Sequence, residues 1–205
     1  MHKPYNKIKI MKKIILLIAV SIGILTAASA QKVKVESGDL SCLKDVAEIS
    51  LVFEYPEDMK FGKMTLQEYV NEKVKEREAK EEGSGEIWKN KFYNDRDRYN
   101  ERFIENFGKY SKNLFAAENN AEFKYTMIVK TTFTEPGFQL GFHSKSSTID
   151  LEINFVETNA PDNIVATIKM SKATGVAHPD SGERVAAAYA NAGAVLGKYI
   201  KKNYL

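Results

Sequence analysis

Cysteine is nearly missing. The chain has 205 residues and one cysteine, Cys42, which excludes an intrachain disulfide framework and any Cys-based zinc knuckle. Histidine is almost as scarce. Beyond the first thirty residues only His143 and His178 occur, and they do not form a metal-binding pair such as His-x-x-x-His. There is no Gly-x-Ser-x-Gly nucleophile elbow and no phosphate-cradling glycine loop. Internal repeats, low-complexity tracts and linkers are absent too. Charge is nearly balanced, with 30 Lys plus Arg against 27 Asp plus Glu. The remainder, 43% hydrophobic and 28% charged, is ordinary for a globular chain and excludes wholesale disorder. No metal and no cofactor is expected.

The first thirty residues read as a signal peptide. Lys3, Lys7, Lys9, Lys12 and Lys13 form a basic head without an acid, and Met11-Lys12-Lys13 would serve as a compact head by itself. The apolar run Ile14 to Leu25 follows, then the small-x-small pattern Ala28-Ser29-Ala30. A bilayer core needs roughly 20 apolar residues, so a stable membrane anchor is not expected. Gln31 stands where a lipoprotein would carry cysteine, and Asp39-Leu40-Ser41 before Cys42 makes a poor lipobox. Cleavage after Ala30 would remove five lysines and no acid, leaving 25 basic against 27 acidic residues, a net charge of −2. Nucleic acid is therefore not an expected partner. The expected location is periplasmic or extracellular, and there a lone Cys42 is expected to be buried.

Residues 31–205 read as a single α+β domain. Ala47, Ile49, Leu51, Phe53 and Tyr55 alternate with mostly polar neighbours, the pattern of a strand covered on one face. Val33 and Val35 suggest a short strand before it. Thr65 and Glu68 form a capping box for a helix with Leu66, Tyr69, Val70 and Val74 on its apolar side, stopped at Gly83-Ser84-Gly85. A second helix starts near Glu86. Trp88, Phe92, Tyr99, Phe103, Phe107 and Tyr110 lie on one face of it. Three strands follow, over 123–133, 147–155 and 164–170, with Asn159 to Asn163 as the hairpin loop between the last two. The last helix begins near Asp180, capped by it with Glu183 three positions on. Gly193 and Gly197 in that helix predict close approach of its backbone to the sheet. The order predicts a two-layer sandwich: an about four-stranded, largely antiparallel sheet with helices on one face.

Few residues suggest chemistry. His178, Asp180, Ser181 and Glu183 bring a base, two carboxylates and a hydroxyl together, although helix capping explains the two acids. Asp150 and Glu152 share one side of a strand, a spacing open to a glycosidase pair and equally to any solvated sheet face. No catalytic residue is assigned. Arg96, Arg98 and Arg102 beside the aromatic stripe could serve a stacking platform, but core packing is the expected use. The most distinctive stretch is Thr134 to Lys145, longer than a hairpin connection needs. It carries Phe138, Leu140, Phe142 and His143 among Pro136, Gly137 and Gly141. Such a loop commonly closes over the end of a core. Otherwise it offers aromatic anchors to a partner, and the expected compromise is one ring buried and one exposed.

The strand ending in Thr-Glu-Pro-Gly-Phe, the strand Ile149 to Thr158 and the Ala/Gly-rich helix with Gly197-Lys198 resemble uncharacterised secreted proteins of Gram-negative envelopes. More loosely, residues 43–203 are similar to the domain of penicillin-binding-protein activator lipoproteins and to the periplasmic part of the curli-secretion lipoprotein. The resemblance implies a non-enzymatic interaction domain facing the envelope, with another envelope protein or a cell-wall component as partner. It transfers no functional residue. The alternatives are a hydrolase of envelope or dietary glycans or peptides, and a self-assembling structural component using an exposed sheet edge.

Overall fold

The computed structural model describes residues 31–205, which form one compact unit. The expected signal peptide, 1–30, lies outside the described residues. The chain is α+β. It begins with β1 (Lys32–Gly38), a 3₁₀ turn at Ser41–Leu43 and β2 (Glu48–Glu54), then the two-residue strands β3 (Lys60–Phe61) and β4 (Met64–Thr65). Helices α1 (Leu66–Glu78) and α2 (Ser84–Ser111) follow. Then come β5 (Phe115–Glu118), β6 (Tyr125–Glu135), β7 (Phe138–Leu140), β8 (His143–Lys145), β9 (Thr148–Glu157), β10 (Ala160–Thr174) and α3 (Ser181–Asn203). None of these helices is long and apolar enough to cross a membrane.

The main sheet has eight strands, not about four, in the order β1-β10-β9-β6-β2-β5, with β3 joining β6 and β4 joining β3. The added strands are those with the weakest pattern. β3 and β4 are too short to alternate, and β5 sits at an edge with Phe115 exposed. The sheet is largely antiparallel, as expected, but it is mixed. β6, β9, β10 and β1 pair antiparallel, but β2 runs parallel to both β5 and β6. Short connections force antiparallel neighbours, whereas the two helices between β2 and β6 form a crossover that permits a parallel pair. The loop between β9 and β10 is shorter than expected, because Ala160 already belongs to β10. Pro161 lies where the register between the two strands slips.

Alternation decides what is covered. Ile149, Leu151, Ile153 and Phe155 of β9 are buried, while Asp150, Glu152 and Asn154 on the other side are half-exposed. The buried side meets Tyr99, Phe103 and Phe107 of α2 and Val185, Tyr189, Ala192, Leu196 and Ile200 of α3 in one core. Trp88 and Phe92, at the start of the same α2 stripe, pack instead in a satellite cluster with Phe61, Leu66 and Val70. The aromatic stripe is thus packing surface. Beside it, Arg98 pairs with Glu183 and Asp95, Arg102 with Glu105, and the Arg96 guanidinium lies over the rings of Tyr55 and Tyr93. The capping box at Thr65 and Glu68 is complete, with Thr65 N–H donating to Glu68 at 2.8 Å and Glu68 N–H to Thr65 Oγ1 at 3.2 Å.

Gly193 and Gly197 do permit a close approach, but to a helix. A β-carbon at Gly193 would fall on the carbonyl of Phe103, and one at Gly197 would lie 2.7 Å from that of Phe107. Asp95 faces Gly182, Phe103 faces Gly193 and Phe107 faces Gly197. Residue numbers rise together along this seam, so α2 and α3 run parallel and their C-terminal ends lie side by side. Cys42 is half-buried against the core, and burial pushes its thiol pKa up.

Candidate functional site

The stretch after β6 folds as a separate two-stranded hairpin. Phe138 pairs with Lys145, Gln139 with Ser144 and Leu140 with His143. The two residues between the strands are Gly141 and Phe142. Gly141 has φ +56 and Phe142 is not among the residues with positive φ, the pattern of a type II′ turn, which suits the twist of a hairpin. Directly opposed residues share a face, so Phe138, Leu140, His143 and Lys145 lie on one face and Phe142 stands at the tip. None of the three apolar side chains is buried: relative exposures are 42% for Phe138, 71% for Leu140 and 106% for Phe142. His143 is exposed as well. The expected division into one buried and one exposed ring does not occur, and the hairpin does not close over the core. Strands of three residues carry too few side chains to cover anything and still reach the sheet.

The base of the hairpin is fixed from below. Arg184, in the first turn of α3, is 6% exposed. Its Nε donates to the Pro136 carbonyl at 2.9 Å and its Nη2 to that of Gly137 at 3.3 Å. Nη1 donates to the carbonyls of His178 and, at 3.0 Å, Pro179. One guanidinium therefore holds both chain segments that cross the head of α3, and its planar fork suits four oxygens in fixed directions. The Arg184 carbonyl in turn accepts from Ser147 Oγ. Gly137 is required here, since its φ is +63 and a β-carbon would run into the Lys145 carbonyl. Lys145 and Glu135 close the hairpin base with an ion pair at 2.8 Å. Arg184 was not legible as a site residue. Its one signal was a cation in the first turn of a helix, where the macrodipole favours anions.

The His178 cluster is assembled, but each group with a resolved contact is engaged in holding structure. Asp180 caps α3 by accepting from Glu183 N–H at 3.0 Å and also pairs with Lys91 at 3.3 Å. Burial alone would raise its pKa, but the Glu183 N–H and the Lys91 ammonium outweigh this and hold it below the usual carboxylate value. His178 Nδ1 accepts from the Asp180 N–H at 3.1 Å. Glu183 pairs with Arg98 at 2.9 Å, and Ser181 is exposed. Asp150 is committed too. It accepts from the N–H of Lys172 at 2.7 Å, where β10 bulges and Lys172 takes φ +59. Glu152 stands in register between Lys130 and Lys169. Among the described residues no group of three or more His, Cys, Asp or Glu is arranged to hold a metal ion.

No family model matches the chain, and no curated protein matches it. Among solved structures, a PelC dodecamer from Paraburkholderia phytofirmans is 8% identical, with a TM-score of 0.40 over 82% of this chain and 98% of that one. A variant PelC dodecamer from the same organism is 9% identical, with a TM-score of 0.38 and the same coverage. A putative neuraminyllactose-binding hemagglutinin homolog from Helicobacter pylori is 12% identical, with a TM-score of 0.28 over 79% of this chain and 84% of that one. Likenesses this distant do not say what the chain does.

Proposed function

We propose that this chain is a non-enzymatic binding or accessory domain, exported to the envelope or beyond, that docks on a partner protein through the β7–β8 hairpin. Behind the hairpin stands a two-layer arrangement with helices on one face of the sheet. The observation that carries the reading is three exposed apolar side chains on an element whose base is fixed by the buried Arg184. Phe142 and Leu140 add nothing to the core, and apolar surface left in water is unfavourable. A hairpin already ordered before contact loses little further freedom on binding. An aromatic tip of this kind fits an apolar pocket on another envelope protein. Export rests on the signal pattern before Gln31.

The two alternatives have less support. Hydrolysis would need groups that are free to act, and His178, Asp180 and Glu183 are each held by a neighbour. Self-assembly would need an inviting edge. One edge strand, β1, has a bulge between Val35 and Ser37 with Lys32 and Lys34 along it, devices that discourage pairing, and the other, β5, is only four residues long although it leaves Phe115 exposed. The test is a pull-down from the native envelope with Phe142→Ala and Leu140→Ala beside the unaltered protein, with urea midpoints taken in parallel. Loss of one identified protein at unchanged midpoint is expected. Retention of every captured protein by both variants would reject the reading.

A further inference from the structure

Far from the hairpin, at the opposite end of α3, five lysines meet. Lys109 and Lys112 come from the end of α2, and Lys198, Lys201 and Lys202 from the end of α3. Together with Tyr110 they line an open cleft of about 320 Å³. Because the two helices run parallel, both C-termini arrive here. Each helix end carries about half a negative charge, so the pair offsets roughly one of five positive charges. Every ion pair among the described residues lies elsewhere, and none of the five lysines takes part in one.

An aromatic ring offsets part of the repulsion between two of these cations. Lys198 Nζ lies 4.4 Å and Lys109 Nζ 5.6 Å from the centroid of the Tyr110 ring, so one aromatic ring attracts both. Lys112, at the C-cap of α2, takes φ 64 where the helix stops. The crowding is real: the Lys112 ammonium beside Lys201 holds the latter's pKa below the usual lysine value. This concentration stands out because residues 31–205 carry a net charge of −2.

We infer that the cleft between the C-terminal ends of α2 and α3 binds clustered phosphate, as a diphosphate or as lipid phosphate headgroups. Several ammonium groups without carboxylate partners converge on a concave site, and an oxyanion bearing two or more charges would relieve the repulsion of all five at once. Lysine suits this use, since its ammonium acts as a compact point charge toward phosphate. The inference is independent of the hairpin reading.

Inorganic pyrophosphate, titrated calorimetrically into the purified protein at low salt, is the direct probe. Lys198→Gln with Lys201→Gln is expected to weaken binding at least tenfold and to flatten its dependence on salt. The exposed pair Lys63→Gln with Lys80→Gln removes the same charge elsewhere and is expected to change affinity less than twofold. All four positions are exposed, so urea midpoints should agree. Absence of pyrophosphate binding, or equal weakening by both pairs, would overturn the inference. Sedimentation with phosphatidylglycerol vesicles, against phosphatidylcholine alone, distinguishes the sources. Binding abolished by the Lys198/Lys201 pair assigns lipid headgroups, and pyrophosphate binding without vesicle binding assigns a soluble phosphate.

Discussion

The two ends of α3 handle positive charge in opposite ways. At the N-terminal end Arg184 is withdrawn from water, and its fork is shared among four backbone carbonyls. At the C-terminal end, roughly 21–27 Å away by the helical rise from Arg184 to Lys198–Lys202, lysines stay exposed and form no ion pair. The difference separates a cation used as a bolt from cations left available. It also assigns different kinds of contact to the two ends: an apolar hairpin standing on the bolt, and an electrostatic cleft in which the aromatic ring of Tyr110 lies against lysine ammonium groups.

Removing the bolt should have the largest effect. Arg184→Met keeps the apolar stem but leaves the carbonyls of Pro136, Gly137, His178 and Pro179 without their donor, which should cost on the order of 3–5 kcal/mol. Urea unfolding measures the loss, and limited trypsin digestion should open a new cut at Lys145. Arg184→Lys keeps the charge without the fork and should recover only part of the stability. A stable Arg184→Met protein with an intact hairpin would remove the structural half of the contrast.

The seam between α2 and α3 comes next, because it brings the two lysine-bearing ends together. A β-carbon at Gly193 strikes backbone, which cannot swing aside. Gly193→Ala should therefore destabilise by about 1–3 kcal/mol, as overpacking does, although alanine favours helix by about 1 kcal/mol. A rise in the urea midpoint would mean that the helices separate easily.

A smaller effect attaches to Asp180. Its carboxyl pKa is depressed in the folded state, so its contribution is present above the ordinary carboxylate range and fades as pH falls through the depressed value. Asp180→Asn keeps an acceptor for the cap but not the charge facing Lys91. The gap in urea midpoint between variant and unaltered protein should be less than about 1 kcal/mol at pH 7 for this half-exposed pair, and should close below about pH 4. A gap that widens on acidification would contradict the assignment of Asp180.

Much of the scaffold was legible because it rests on local rules. The capping box at Thr65, the α2 stripe and the alternation of Ile149 to Phe155 each declare themselves within a few residues. The sheet was underestimated for a physical reason: β3, β4 and β5 owe their strand character to the neighbours they pair with, and two to four residues show no period of their own. The parallel pairing of β2 and β6 depends on a crossover of two helices, which no local pattern reports. Gly193 and Gly197 announced a close approach, but the partner, the Phe103 and Phe107 backbone, is ninety positions upstream. At the site, Phe138, Leu140 and Phe142 were legible as residues while the exposure of all three was not, because a loop of that length covers or projects according to what lies beneath it. What lies beneath is Arg184, whose partners sit five to forty-eight positions away. The lysine cleft was illegible for a like reason, since it exists only where two helix ends meet.

The smallest expected change in stability carries the most weight for function. Phe142→Ala should shift the urea midpoint by less than about 0.5 kcal/mol, as exposed positions do. The most direct measurement places a photo-crosslinking amino acid at position 142 in cells, with position 87 as control. Ile87 is another exposed apolar side chain, 74% accessible, but it stands alone on α2. The account predicts one discrete crosslinked protein from position 142, absent from position 87 and lost when Leu140→Ser is added. The same adducts from both positions, or none from either, would contradict it.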